Sequence, residues 1–200
     1  MLSPEEEKNM EAYKTIALDR NTTHGNPDFW RPEFEKFREL LPQGLILDVG
    51  CGAGRDAILF KEAQYKYVGI DLSEDMLAAA RKVAINMNFL PMNICNLGFA
   101  DHSFDGFWAA ASLLHVPKNN IRKILADIKR VVKPGGTGFV TLKYGLEEKV
   151  VPEPSGTERF FSFYTQREFW YILAENGFEV LEGDQNRNNV WLTYLVKITI

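Results

Sequence analysis

The sequence predicts an α/β fold: a doubly wound, mostly parallel sheet of seven strands, helices on both faces, and an antiparallel hairpin at the C-terminal end. Three observations predict it. From Leu45 onward, short apolar runs of strand length alternate with helical stretches, which is how a parallel sheet covered on both faces is written. The first of those runs leads straight into three glycines in five positions, Gly50, Gly52 and Gly54, so main chain has to stay uncovered there. The last two runs, "FEVLEGD" and "NVWLTYLVKI", are joined by "QNRNN" and read as a closing hairpin, placing an antiparallel strand at the edge.

The elements follow in order. Ser3, Pro4 and Glu6 signal a helix start: a cap, a proline at the first helical position and a glutamate to close a capping box. Met10, Tyr13, Ile16 and Ala17 then fall on one face. "HGNPD" (24–28) breaks this helix, and "RPEFEKFRELL" starts another with Phe34, Phe37 and Leu41 together. "LILDVG" is the first strand and "GRDAILFKEA" a helix. "KYVGID" is the second strand, followed by a helix capped by Ser73. "NFLPMNI" (88–94) and "FDGFWAAAS" (104–112) are strands three and four. "NNIRKILADIKRVVK" is an amphipathic helix stopped by "PGG" (134–136), and "TGFVTLKY" (137–144) is strand five. Residues 145–164 read as a long loop, of a length that is usually functional. "TQREFWYILAENG" is the last helix, with Gly177 just past its end.

The bulk numbers set bounds. Two hundred residues at 46% hydrophobic content suit one domain, here residues 1–200, with 1–43 as a helical cap and 44–200 as the core. A net charge of -4 argues against a dedicated nucleic-acid binder. The basic run Arg122, Lys123, Lys129, Arg130 and Lys133 reads as one solvated helix face. Cys51 and Cys95 are far apart, no Cys/His cluster suggests a metal, and the acidic N-terminus lacks the apolar core of a signal peptide. No run is long enough to span a bilayer. The expectation is a soluble cytoplasmic protein, and the sequence assigns no oligomeric state.

In a doubly wound sheet, ligands bind outside the carboxyl ends of the strands, and the glycine turn lies at one. A dinucleotide fingerprint would need glycine at position 55, where the chain has Arg55, and no P-loop pattern occurs. That leaves a ligand without a pyrophosphate, or a plain tight turn. Asp71 ends strand two in "GIDLS". Its carboxylate is placed to accept both hydroxyls of a ribose; the alternative role, a helix cap, is already met by Ser73.

With these residues in place, the chain resembles the class I S-adenosylmethionine-dependent methyltransferases, whose fold is Rossmann-like. "LDVGCGAGRD" looks like that family's first motif, "GIDLSEDMLAAA" its second, "LGFADHSFDGFWAAASLLHV" a third, and "IKRVVKPGG" the turn that follows. The resemblance implies S-adenosyl-L-methionine as cofactor and S-adenosyl-L-homocysteine as product. It implies that Asp48, Cys51 and the Gly50, Gly52 and Gly54 backbone hold the methionine part, and that Asp71 holds the ribose with Leu72 on the adenine. Asn93 stands where relatives often carry an acid for the adenine amino group, and Ile94 packs on the ring or offers its N–H. Ala109 and Ala110 would expose backbone to the methionine group. Arg55 either pairs with the methionine carboxylate or lies on a solvated helix face.

Methyl transfer from a sulfonium needs alignment and exclusion of water more than a dedicated base. His115, following strand four on the ligand side, is the candidate base; packing in its loop is the alternative. Tyr13 and Tyr144 are weaker candidates. In the 145–164 loop, Phe160, Phe161, Phe163 and Tyr164 are expected either to line an acceptor pocket, with Arg159 fixing an anion, or to pin the loop to the core. The N-terminal helix is expected to cap the cofactor, with "HGNPDFW" as its hinge. "AAAS" at the end of strand four weighs against methylation of exocyclic amines and glutamine side chains, and the absence of a Pro-Cys pair against cytosine-C5 methylation. "GAGRDA" and "SLLHVP" look like small bacterial methyltransferases near the tellurite and thiopurine S-methyltransferases. The expected acceptor is a small molecule. The alternatives are an RNA or protein methyltransferase and a non-catalytic cofactor-binding regulator or partner subunit.

Overall fold

A computed structural model describes residues 2–18, 25–186 and 190–199 of the chain. Its centre is a seven-stranded sheet of order β3-β2-β1-β4-β5-β9-β8. The strands are β1 (Leu45–Val49), β2 (Lys66–Asp71), β3 (Asn88–Pro91), β4 (Phe104–Ala110), β5 (Val132–Lys143), β8 (Phe178–Asn186) and β9 (Trp191–Ile198). Pairings among β1 to β5 are all parallel, and β9 runs antiparallel to both β5 and β8. The closing hairpin thus puts an antiparallel pairing at the sheet edge, as expected, with β8 outermost and the reversed strand β9 between it and β5. Every residue of β9 from Leu192 to Val196 is buried, as a strand flanked on both sides must be.

Alternation along each strand divides the core into two layers. Leu47, Val49, Phe107, Ala109, Val140 and Leu142 face one way, under α5 (Ile121–Val131) and α6 (Gln166–Glu175). Ile46, Trp108 and Phe139 face the other way, against α2 (Arg31–Leu40) and α3 (Ala57–Glu62) through Phe34, Phe37 and Phe60. The remaining helices are α1 (Pro4–Leu18) and α4 (Glu74–Val83). None of the described helices is long and apolar enough to cross a membrane.

Several boundaries move from their expected places. The residues expected as one long loop contain a separate antiparallel pair, β6 (Glu148–Pro152) with β7 (Glu158–Ser162). A tight turn at Gly156 (φ +83°) closes it, and Phe160 and Phe161 bury their rings. Prolines and charges around "VVPEPSG" hid this pair. α5 stops at Val131, two residues before the expected end, because Val132 already lies in extended backbone and β5 runs on through Pro134, Gly135 and Gly136. β3 ends at Pro91 instead of Ile94, and α3 begins at Ala57 because the three glycines keep 50–54 in left-handed turns. Of the expected "HGNPDFW" hinge, His24 lies outside the described residues, while Pro27–Trp30 is a 3-10 turn with Trp30 buried. The "QNRNN" connection falls partly outside them too, at 187–189.

Strand order reverses between β1 and β4, which opens a crevice at their carboxyl ends. The glycine turn leaves β1 on that side, and Ala110, Ala111 and Ser112 leave β4 there.

Candidate active site

The floor of the crevice is the glycine turn, and its hydrogen bonds explain its shape. Gly50 N–H and Cys51 N–H both donate to the Ile70 carbonyl at 2.9 Å. Asp71 then grips two further amides: Oδ2 accepts from Gly52 N–H and Oδ1 from Ser73 N–H, each at 2.9 Å. The carboxylate thus ties the first turn to the second. A carboxylate offers about four acceptor positions, so Asp71 keeps capacity for a ligand. Gly52 (φ +54°) has nothing within 4 Å of where a Cβ would stand, so it presents bare main chain to open space. Gly54 (φ +80°) differs: a Cβ there would lie 2.9 Å from Ala80 Cβ, so its smallness serves the contact with α4.

Beneath the turn lies a buried polar network. The Tyr67 hydroxyl donates to Asp48 Oδ2 at 2.6 Å. Arg55 clamps Asp56 through Nε (2.6 Å) and Nη2 (3.0 Å), and Trp108 Nε1–H adds a third bond to Asp56. Burial, reinforced by the Asp56 charge, pushes the Asp48 carboxyl up to about 8, against the pull of the Tyr67 hydroxyl and Arg55. Burial likewise raises Asp71.

Above this floor is a cavity of about 1070 Å³, at the upper end of the roughly 300–1,000 Å³ usual for ligand sites. Its roof is α1, whose 3-4-3 spacing turns Glu6, Asn9, Met10, Tyr13 and Ile16 downward. The expected capping box starts this helix: Glu6 N–H donates to Ser3 Oγ at 3.2 Å and Ser3 N–H to Glu6 Oε2 at 2.7 Å. Three side chains latch the roof down. Glu6 Oε1 accepts from Asn93 Nδ2 (2.7 Å), Asn9 Oδ1 accepts from the Phe160 amide (2.8 Å), and the Tyr13 hydroxyl meets His115 Nε2 (2.6 Å). His115 Nδ1 lies 2.8 Å from the Phe160 carbonyl, and burial lowers the imidazole to about 3. Arg159 pairs with Glu153 at 2.6 Å, and its Nη1 donates to the Tyr13 hydroxyl at 3.3 Å.

Of the residues singled out from the sequence, Asp48, Gly50, Cys51, Gly52, Arg55, Asp71, Leu72, Asn93, Ile94, Ala110, Tyr13, His115 and Arg159 all line this one cavity. Gly54, Ala109, Tyr144, Phe161 and Phe163 do not. Ala109 points into the core, as the β4 alternation requires, and Phe161 is buried in the same layer. Phe163 packs at that layer's margin, Tyr144 is 43% exposed, and Gly54 is held against α4. Arg55 is neither free nor on a solvated face, since Asp56 holds it. The Asn93 amide is engaged at both ends, by Glu6 and by Cys95 N–H at 2.8 Å. Sequence reasoning missed Glu6 and Asn9 as latches, Asp56 as the partner of Arg55, and Glu153 as the partner of Arg159. Only the Glu6–Ser3 spacing gave any hint of them.

An adenosyl sulfonium fits this arrangement. Bare main chain at Gly52 admits close approach, the strand-end carboxylate of Asp71 has lone pairs to spare, Glu6 adds a charge that its partners keep ionised, and the protonated Asp48 beside them can ionise toward a cation.

Comparison with known proteins agrees. Residues 46–136 match the model of a methyltransferase domain family. An O-methyltransferase of Aspergillus nomiae is 31% identical over 161 residues, covering 74% of this chain and 70% of that protein. An O-methyltransferase of Aspergillus sclerotiorum is also 31% identical, and a demethylmenaquinone methyltransferase of Symbiobacterium thermophilum is 32% identical. These two matches cover 72% and 64% of this chain but only 58% and 53% of the relatives' own length. Among solved structures, a Pyrococcus horikoshii protein superposes with a TM-score of 0.76 at 20% identity, over 94% of this chain and 99% of that one. The Burkholderia thailandensis 1,6-didemethyltoxoflavin-N1-methyltransferase, solved with S-adenosylhomocysteine bound, has a TM-score of 0.71 at 18% identity, over 100% and 92%. These likenesses establish the same fold, and the aligned relatives together with the glycine turn and its tethering carboxylate establish the lineage: the chain belongs to the class I S-adenosylmethionine-dependent methyltransferases.

Proposed function

We propose that this chain transfers a methyl group to a small-molecule acceptor enclosed beneath α1, as a single catalytic unit in the reducing cytoplasm. The observation that carries the reading is the latched, acid-lined cavity. Among the described residues its cations are Arg55, Lys123 and Arg159, and Arg55 and Arg159 are already paired with carboxylates. Such a lining offers an RNA backbone little, since binding there depends on Lys and Arg neutralising phosphates. A roof latched over the cavity by side chains also suits a small acceptor better than a polypeptide. The names of the relatives, O-methyltransferases and a quinone-pathway methyltransferase, point to small acceptors as well.

In this reading Asp71 holds the ribose hydroxyls, and Leu72 and Ile94 hold the adenine beside Asn93. Asp48, Cys51 and the Gly50–Gly52 backbone hold the methionine part with Ala110. Arg55 keeps Nη1 for the methionine carboxylate while Nε and Nη2 hold Asp56. When bound, the sulfonium supplies an electrophilic methyl carbon. The chain's part is to align the acceptor with it and to exclude water under α1.

The test is calorimetric titration with S-adenosylmethionine, followed by a screen of phenol, carboxylate, amine and thiol acceptors for S-adenosylhomocysteine release. Binding with turnover of at least one acceptor is expected. Asp71→Ala is expected to weaken cofactor binding by about 1–3 kcal/mol; unchanged affinity in that variant removes the ribose assignment. Binding without turnover of any acceptor favours the non-catalytic reading.

A further inference from the structure

The acceptor end of the cavity contains a side chain arranged as a substrate would be. The Phe160 carbonyl can only accept, so His115 Nδ1 carries the ring proton and Nε2 is left with a bare lone pair. The group filling that lone pair is the Tyr13 hydroxyl, at 2.6 Å. The same hydroxyl accepts from Arg159 Nη1 at 3.3 Å. Its ring stands edge-on to the His115 ring, with centroids 5.4 Å apart and planes at 84°, and the Arg159 guanidinium lies 5.5 Å from the ring centre. Hydroxyl and aromatic ring are thus each recognised separately. Arg159 is itself braced by Glu153 and by the Phe161 ring at 5.0 Å, so the recognising pair keeps its place whatever occupies the position. Tyr13 lines a cavity of about 1070 Å³, so open space adjoins it.

We propose that the Tyr13 phenol stands in the acceptor's place, and that the acceptor is a phenol or an enol, methylated on oxygen after it displaces Tyr13 from His115 and Arg159. This rests on the methyl-transfer reading and adds the acceptor class to it. An amine fits poorly: a protonated one has nothing to give Arg159, and a neutral one has a single lone pair, which must attack carbon. A thiol donates too weakly to compete with Tyr13. For an O–H acceptor the step balances. A lone pair on oxygen forms the O–C bond, the S–C bond breaks with its electron pair returning to sulfur, and the oxygen's proton passes to His115 Nε2. A protonated ether is a far stronger acid than even a buried imidazolium, so a histidine of depressed basicity suffices as the proton's destination. His115 is then the catalytic residue that touches the acceptor, and Arg159 fixes the oxygen's second lone pair.

The test uses 4-nitrophenol as probe and 4-nitroaniline as its same-shaped amine control. Both are titrated calorimetrically into the full chain loaded with S-adenosylhomocysteine, at about pH 6 so that the nitrophenol keeps the proton it has to donate. Tyr13→Phe keeps the ring and removes only the hydroxyl. It is expected to bind 4-nitrophenol about tenfold tighter than the unaltered chain, the worth of one competing hydrogen bond, with no matching gain for 4-nitroaniline. Adding His115→Gln to Tyr13→Phe is expected to abolish the gain. Equal or weaker 4-nitrophenol binding in Tyr13→Phe overturns the proposal, as does an equal gain for both probes. Should S-adenosylhomocysteine itself not bind, the methyl-transfer reading falls. The same titrations without it still decide whether Tyr13 occupies a hydroxyl site.

Discussion

Asp48 shows how much chemistry one buried carboxyl can hold. Burial, with the Asp56 and Asp71 charges added and the Tyr67 hydroxyl and Arg55 opposing, keeps it protonated in the folded chain up to about pH 8, whereas an unfolded chain releases that proton near pH 4. Between those values the folded state binds the extra proton, and stability falls as pH rises. The contribution is fully present below about pH 4 and gone above about pH 8. Asp48→Asn keeps the acceptor for Tyr67 and removes the titration. Urea melts at pH 5 and pH 8 are expected to show a drop of the order of a few kcal/mol in the unaltered chain and a much flatter profile in the variant. A parallel drop in both would place the titration elsewhere. A cationic ligand above Asp48 favours its ionised form, so cofactor affinity is expected to rise over the same interval.

At the scale of elements, the first crossover divides its glycines between two tasks. Gly52 faces open space and Gly54 faces α4, although they stand two residues apart in what looks like one motif. Gly52→Ala is expected to cut S-adenosylhomocysteine affinity while costing only about 1 kcal/mol of stability, the strain of a left-handed alanine. Gly54→Ala adds a clash with Ala80 to the same strain and is expected to cost about 2–4 kcal/mol, seen as a lower melting temperature. The reverse ranking in paired melts and titrations would contradict the division. The sequence carried the turn itself because glycine spacing, the carboxylate ending β2 and the Ser73 cap are local signals. It could not separate the glycines' tasks, because Ala80 lies 26 positions downstream of Gly54 and nothing in a run of small residues shows which one α4 will cover. The β6–β7 pair was unreadable for a related reason. Its strands are five residues each, with Pro152 ending β6 and Pro154 in the turn, so the stabilising contacts, Phe160 and Phe161 on the core, are tertiary and leave no period.

For the whole molecule, the seven-stranded sheet and its two apolar layers were legible because every strand alternates or runs apolar in register with its neighbours. The roof was legible only as a helix. Tyr13 meets His115 across 102 positions, and Asn9 meets Phe160 across 151, distances at which sequence pattern is silent. That separation has an energetic counterpart. Neither apolar layer includes a residue of α1, so the sheet is held together without the roof, and the roof is held by its latches together with buried Ala12 and the exposed Lys8–Glu158 pair. Glu6→Ala with Asn9→Ala opens two latches and leaves Tyr13 and the cofactor floor intact. The double variant loses the Asn93 and Phe160 latches and the Ser3 half of the capping box, and strands the Phe160 amide. Its cost is expected to stay near 2–4 kcal/mol, with the core still folding cooperatively. Stopped-flow displacement of S-adenosylhomocysteine is expected to show dissociation at least about tenfold faster, because enclosure of a ligand acts mainly on its escape rate. If dissociation is unchanged while stability falls, α1 is packing on the sheet and does not govern access. If stability collapses instead, the roof belongs to the core, and the division between a self-sufficient sheet and a latched lid is wrong.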